Sequence, residues 1–282
     1  MISITNISVK STHHNKPIVT DVFYKKNNTK NPIVIFCHGY KGFKDWGAWN
    51  LMVQEFTSKN LFFVKFNFSH NGGTLKNPID FPDLDAFGEN NYTTELKDLE
   101  DIINWVSNNA DFENELDINN ITLIGHSRGG GIVSIKASEN SKISKLITWC
   151  GVSDFNARFP KDETLEMWKK AGVSYTENSR TKQKMPLLYQ FYTNFKENEE
   201  RLIIRNSVSK LKIPHLIIQG ENDQVVLPNE AVNLHKWNPK SELVLVPEMN
   251  HTLGCSHPWN HNFMSSHLNK VVQNSIDFIL DK

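Results

Sequence analysis

The chain has 282 residues, which is long enough to bury a large core without disulfide or metal cross-links. Its 31 Lys and Arg residues balance 31 Asp and Glu residues, so the formal net charge is zero, which argues against electrostatically driven binding to nucleic acid or to an anionic membrane. A hydrophobic content of 39% argues against disorder, and every uninterrupted apolar run is far shorter than a bilayer span, so we expect no transmembrane helix and no stable membrane association.

The chain begins with an antiparallel hairpin, predicted from two β-rich runs at Ile2–Val9 and 17–24. Six mostly apolar runs follow, as expected of strands that are covered on both faces, at 32–37, 61–66, 121–124, 145–149, 215–218 and 242–246. Segments with helical periodicity lie between the runs, at 49–56, 96–106 and 268–279. This alternation predicts an α/β fold with an eight-stranded, mostly parallel sheet flanked by helices.

One interval, residues 154–213, breaks this alternation, since about sixty residues stand where a simple crossover needs far fewer. It is rich in aromatic residues and in Lys and Arg. Either it is a surface insertion that packs its own aromatic residues, or it is a cap over a substrate site. Its position after strand 6 favours the cap, because sites in open α/β sheets lie at the carboxyl ends of strands. We therefore predict a core of residues 1–153 and 214–282 with a cap insertion at 154–213.

The most informative motif is Gly125-His126-Ser127-Arg128-Gly129, a G-x-S-x-G sequence between the strand 121–124 and the helical segment 132–137. A strand-to-helix turn tight enough to push a serine into a cleft leaves no room for side chains two positions before and after it. The helix N-terminus that follows favours a developing negative charge. Ser127 is therefore predicted to be a nucleophile.

A serine hydroxyl needs a base to take its proton and a carboxylate to orient that base. On this type of fold the acid and then the histidine follow the serine in the chain. Asp223 lies in the turn after the strand 215–218 and is preferred over Glu221, and His251 lies in the loop after the last strand. No HExxH spacing or set of carboxylates accompanies His251 or the later histidines, so no metal or other cofactor is expected.

A tetrahedral intermediate also needs hydrogen-bond donors for its oxyanion. The backbone N–H of Arg128, next to the nucleophile, is the first candidate. The backbone N–H of Tyr40, in the loop after the strand 32–37, is the second. His38 in the same loop is interpreted as a structural side chain that braces the loop.

Five motifs in this order, CHGYKGFKD, FNFSHNGGT, GHSRGG, QGENDQVV and MNHTLG, make the chain similar to the α/β-hydrolase fold superfamily. Within it, the chain resembles small cytosolic esterases and acyl-peptidase-like members, the group of the feruloyl (cinnamoyl) esterases. The resemblance extends over about residues 2–280. It implies Ser127, Asp223 and His251 as a catalytic triad and Tyr40 and Arg128 as oxyanion donors. The segment 154–213 corresponds in position to the cap of feruloyl esterases.

The leading functional hypothesis is a serine hydrolase that cleaves carboxylic esters of small or aromatic acids through an acyl-enzyme. A serine peptidase of aminopeptidase or acylaminoacyl type is the alternative, and a non-hydrolytic or catalytically dead member of the fold is a third option. The expected partner is a small-molecule ester, and the sequence leaves open a homodimer.

The predicted location is cytoplasmic. The first residues, MISITNISVKST, lack the basic cluster and apolar stretch of a secretory signal. The three cysteines, Cys37, Cys150 and Cys255, are scattered and fit free thiols in a reducing compartment.

Overall fold

The computed structural model describes residues 1–27 and 29–281 and contains ten strands and ten α-helices in that part of the chain. In chain order they are β1 (Ile2–Val9), β2 (Ile18–Tyr24), β3 (Asn31–Cys37), α1 (Trp49–Ser58), β4 (Phe62–Phe66), α2 (Leu84–Glu89), α3 (Tyr92–Ser107), β5 (Leu116–His126), α4 (Arg128–Glu139), β6 (Ile143–Trp149), α5 (Asp162–Ala171), β7 (Val173–Glu177), β8 (Lys184–Leu188), α6 (Gln190–Glu197), α7 (Glu199–Leu202), α8 (Ile204–Val208), β9 (His215–Gly220), α9 (Pro228–Trp237), β10 (Glu242–Val246) and α10 (Ser266–Leu280).

Eight of the strands form one sheet in the order β1-β2-β4-β3-β5-β6-β9-β10. The β1–β2 and β2–β4 pairs are antiparallel, and all other pairs in the sheet are parallel. The predicted eight-stranded, mostly parallel sheet is therefore confirmed. Because parallel strands end at the same edge, the loops after β3, β5, β9 and β10 lie at one edge of the sheet, where the candidate site residues follow the strands.

Helices cover both faces of the sheet and bury two large apolar clusters. On one face α3 and α4 pack with parts of the segment 154–213, and on the other face α1 pairs with α10. Leu99 of α3 is fully buried, so its truncation to alanine is expected to cost about 2–5 kcal/mol of stability. Two sheet faces covered by helices account for the continuous apolar character of the central strands.

Between β6 and β9 the chain forms several short elements instead of one crossover helix. The strands β7 and β8 make an antiparallel two-stranded sheet of their own, and the helix α6 packs against α3. Phe191 and Phe195 of α6 join the apolar cluster on the α3 and α4 face of the main sheet. The segment is thus packed onto the sheet layer through its aromatic residues.

Several local features differ from the sequence prediction. Strand β5 begins at Leu116, five residues before the apolar run, because its polar first half pairs with β3 across a register shift. The hairpin β7–β8 and the short helix α2 were not predicted. Within residues 1–27 and 29–281, no helix has the length and apolar character needed to cross a membrane.

Candidate active site

Ser127 occupies a strained turn between the end of β5 and the start of α4. Its φ and ψ angles are 58° and −121°, a conformation that costs energy for a residue with a side chain. A Cβ atom on Gly125 would lie 2.3 Å from the Gly129 carbonyl oxygen, and one on Gly129 would lie 2.5 Å from the carbonyl oxygen of Cys37. The two glycines are therefore required by close backbone contacts, as the motif predicts.

Three of the predicted site residues form one hydrogen-bonded chain. The Nδ1–H of His251 donates to Oδ2 of Asp223 at 2.8 Å, since a carboxylate can only accept. The Nε2 of His251 then accepts from the Ser127 hydroxyl at 3.0 Å. These two partners place the ring proton of His251 on Nδ1. The structure thus brings together side chains that are separated by up to 124 positions in sequence.

Asp223 is fully buried at the end of β9 and has a complete set of donors. The backbone N–H groups of Val225 and Val226 donate to its Oδ1 at 2.8 and 2.9 Å, and Gln219 donates to its Oδ2 at 3.2 Å. Burial would raise the pKa of Asp223, but His251 and the two backbone donors together outweigh burial and lower it. Asp223 is therefore ionised at neutral pH. Glu221, the alternative acid, is exposed to solvent.

The loop after β3 lies directly against Ser127. A Cβ atom on Gly39 would lie 2.8 Å from the Ser127 Cβ and 3.2 Å from its Oγ, so the loop touches the serine through a residue without a side chain. In the described part of the chain, the backbone N–H groups of Tyr40 and Arg128 donate to no other residue. They remain available for an oxygen bound beside Ser127.

Two buried histidines brace the loops around the serine. The Nδ1–H of His38 donates to the Gly39 carbonyl at 2.8 Å, and its Nε2 accepts from the Phe68 N–H at 3.2 Å, in agreement with the structural role predicted for it. His126, which the sequence analysis did not single out, donates from Nε2 to the His251 carbonyl at 2.9 Å. Burial, with a smaller contribution from nearby His251, lowers the pKa of His126 to about 3. His126 is therefore neutral and holds the loop that carries His251.

A second feature missed by the sequence analysis is a buried charge network behind the Tyr40 loop. Lys44 Nζ lies 2.7 Å from an Asp21 carboxylate oxygen and 2.6 Å from one of Asp45, and Lys65 pairs with both carboxylates. Lys65 Nζ also donates to the Lys44 carbonyl oxygen at 3.2 Å. The charges therefore fix this loop to β2 and β4. The sequence contains a signal for this network, since a lysine interrupts the apolar run FFVKF of β4 and an aspartate interrupts the run IVTDVFY of β2.

Ser127 lies where two cavities meet. The larger, of about 290 Å³, is lined mainly by aromatic and aliphatic side chains, several of them from the segment 154–213. The smaller, of about 120 Å³, is lined by the loop after β3 together with His251 and Thr252. Ligand pockets are typically ~300–1,000 Å³, so the larger cavity suits a small bound group.

Cys150, Asp223 and His251 offer ligand atoms that all lie within 4.8 Å of one another, the kind of cluster that can bind a metal. However, burial raises the pKa of the Cys150 thiol, so it is not the thiolate that a metal needs. Both ring nitrogens of His251 are already engaged by Asp223 and Ser127. We therefore assign these residues to the hydrogen-bonded chain.

The family model described as BD-FAE matches residues 20–238, which is more than half of the chain. The chain belongs to the BD-FAE family. A comparison with curated proteins gave no match.

The fold of this BD-FAE member is similar to those of several solved structures. Est1E from Butyrivibrio proteoclasticus has 16% identity, with a TM-score of 0.69 over 99% of this chain and 98% of that chain. The same protein with ferulic acid bound gives 18% identity and a TM-score of 0.69 over 98% of both chains. The α/β hydrolase GrgF from Penicillium sp. sh18 has 14% identity and a TM-score of 0.69 over 99% of this chain and 98% of that chain. The predicted α/β-hydrolase fold and the resemblance to esterases of that fold are confirmed.

Proposed function

We propose that this BD-FAE member is a serine hydrolase that cleaves carboxylic esters of small or aromatic acids through an acyl-enzyme. The observation that carries the proposal is the chain from Asp223 through His251 to the strained Ser127, which opens on a cavity. Histidine within hydrogen-bond reach of a serine, and itself oriented by a carboxylate, is the arrangement that activates a serine hydroxyl.

In the proposed reaction, Ser127 Oγ attacks the ester carbonyl carbon while His251 Nε2 accepts the hydroxyl proton. The negative charge that develops on the carbonyl oxygen is stabilised by the backbone N–H groups of Tyr40 and Arg128. The carbon–oxygen bond to the alcohol then breaks, and His251 returns the proton to the departing alcohol. Water attacks the acyl-enzyme with His251 as base, which releases the acid and restores Ser127.

The two cavities fit the two parts of an ester. Because His251 must protonate the leaving alcohol, the alcohol belongs on the side of the smaller cavity, which His251 lines. The acyl group then belongs in the larger cavity, whose apolar lining suits a short aliphatic or an aromatic acid. Ferulic acid is bound by the structural neighbour Est1E, which supports an aromatic acid as one candidate for this chain.

We further propose that the segment 154–213 acts as a cap over the acyl cavity. Phe155, Phe159, Leu187 and Phe191 of this segment line the cavity beside Ser127. A substrate in this cavity would therefore be shielded from water by residues outside the main sheet. Shielding of this kind strengthens the electrostatic interactions that stabilise a transition state.

The test measures hydrolysis of p-nitrophenyl acetate, p-nitrophenyl butyrate, methyl ferulate and a panel of aminoacyl anilides. Wild type and Ser127→Ala are compared with Ser138→Ala, a matched control at an exposed position of α4. We expect ester turnover in wild type and in Ser138→Ala and its loss in Ser127→Ala. Cleavage of anilides alone would replace the proposal with a peptidase, and ester turnover that survives in Ser127→Ala would overturn the assigned nucleophile.

A further inference from the structure

The side chain of Arg128 has an unusual place beside the nucleophile. It is 13% exposed, and its guanidinium lies 4.1 Å from the ring centroid of Tyr40, 5.3 Å from that of Tyr92 and 5.2 Å from that of Phe191. These aromatic faces favour a cation and hold it in one place. The cation also lines the larger cavity, together with Ser127.

Most of the hydrogen-bonding capacity of Arg128 is unused by the described residues. The side chain makes one hydrogen bond, from Nη1 to Oε1 of Glu95 at 3.3 Å, although a guanidinium has five N–H donors. The other guanidinium nitrogens have no partner among the described residues, and they are not fully buried, so solvent reaches them. The cavity beside Ser127 is the opening that Arg128 lines.

The Glu95 carboxylate beside Arg128 is shared with a second donor. Oε1 of Glu95 accepts a shorter hydrogen bond, at 2.7 Å, from Asn90. Its Oε2 is buried and has no partner among the described residues. Burial raises the pKa of Glu95, and Arg128 offsets only part of that effect. Glu95 therefore engages Arg128 through one long hydrogen bond, and the other guanidinium donors stay free for a ligand in the cavity.

The other arginine of the cavity, Arg158, is more exposed and has more hydrogen-bond partners. It is exposed, its guanidinium pairs with the Glu230 carboxylate, and it donates to the Val225 carbonyl at 3.1 Å. Two hydrogen bonds therefore hold the Arg158 guanidinium, whereas the Arg128 guanidinium makes one. Arg128 is the cation with donors to spare on the acyl side of Ser127.

We propose that the cavity selects acyl groups that end in a carboxylate, so that half-esters of short dicarboxylic acids are the preferred substrates and the Arg128 guanidinium binds the free carboxylate. This inference rests on the proposed ester hydrolysis. Ser127 and Arg128 line the same cavity of about 290 Å³, so an acyl group attached to Ser127 shares that space with the guanidinium. Charge-assisted hydrogen bonds from a guanidinium are about twice as strong as those between neutral groups.

The test compares kcat/KM for two esters of equal chain length, p-nitrophenyl hydrogen glutarate and p-nitrophenyl pentanoate. They differ in a terminal carboxylate in place of a methyl group. In wild type the glutarate is expected to be preferred by about tenfold or more. This ratio requires no variant, so it tests the inference even if a substitution impairs folding.

Three variants then test whether the Arg128 side chain causes the preference for the glutarate ester. Arg128→Gln is expected to lower the glutarate-to-pentanoate ratio about tenfold, and Arg128→Lys, which keeps the charge, is expected to retain part of the preference. Arg201→Gln removes a surface arginine that pairs with Glu139 and is expected to leave the ratio unchanged.

Two results would overturn the inference. One is a wild-type ratio near one, and the other is an equal loss on both esters in Arg128→Gln, which would mean that Arg128 only positions the loop of Tyr40. If wild type hydrolyses pentanoate through Ser127 without preferring glutarate, the proposed function stands and the inference fails. If neither ester is hydrolysed but p-nitrophenyl acetate, p-nitrophenyl butyrate or methyl ferulate is, the inference alone fails; if none of the five esters is hydrolysed, both fail.

Discussion

His215 at the start of β9 should make the protein less stable in mild acid. Its side chain is 1% exposed, its Nε2 lies 3.3 Å from Thr148 Oγ1, and its Nδ1 is buried without a partner among the described residues. Burial, with a smaller contribution from nearby His235, lowers the pKa of His215 to about 3. The folded protein therefore keeps this imidazole neutral where the unfolded chain would protonate it.

The size of the effect follows from the two pKa values. The unfolded chain binds a proton at His215 below about pH 6.5, whereas the folded chain does so only below about 3. Between these values the unfolded state binds more protons, so stability falls as the pH falls. A pH of about 5 lies about 1.5 units below the pKa of this histidine in the unfolded chain. Protonation of the unfolded chain therefore lowers the free energy of unfolding by about 2 kcal/mol at that pH.

The assay is urea unfolding followed by tryptophan fluorescence, at about pH 7.5 and about pH 5. The free energy of unfolding of wild type should fall by about 2 kcal/mol more than that of His215→Gln between these conditions. His261→Gln, at an exposed histidine, should behave like wild type. An equal pH dependence in wild type and His215→Gln would refute the assignment of a neutral buried imidazole.

Three further substitutions probe the site and its support. Gly129→Ala places a Cβ atom 2.6 Å from the His38 carbonyl oxygen, so we expect a lower melting temperature and loss of esterase activity, and a fully active, equally stable variant would contradict the tight turn. Lys65→Met leaves the buried carboxylate of Asp21 with one lysine, so urea unfolding should show a loss of about 3–5 kcal/mol, and a loss below about 1 kcal/mol would argue against a buried network. Asp223→Asn should lower kcat by about 10,000-fold with an unchanged melting temperature, because the amide no longer orients His251, and a loss below about tenfold would contradict its role.

Much of the fold could be predicted from the sequence because a parallel sheet covered on both faces needs continuous apolar strands. The runs at 32–37 and 215–218 correspond to the central strands β3 and β9. The hairpin β7–β8 escaped prediction because β7 is mostly polar and exposed, and because a proline, Pro186, interrupts the short apolar run of β8. Strand pairing outside the core is determined by contacts that a local pattern does not contain.

The candidate site also contains some residues that could be predicted from the sequence and others that could not. Ser127 could be predicted because its turn imposes local requirements on the glycines at 125 and 129, and His251 could be predicted from its place after the last strand. The surroundings of the Arg128 side chain could not, because Tyr40, Tyr92 and Phe191 come from three distant segments. The neutral state of His126 also depends on burial, which only the folded chain provides.

The most direct test of the central claim, an activated Ser127, does not depend on knowing the substrate. The purified protein is treated with a fluorophosphonate, which phosphonylates activated serines, and the modified peptide is located by mass spectrometry. We predict one modification, at Ser127, that is strongly reduced in His251→Gln because the base no longer accepts the hydroxyl proton. No modification of wild type, or equal modification of Ser127 in His251→Gln, would contradict the account.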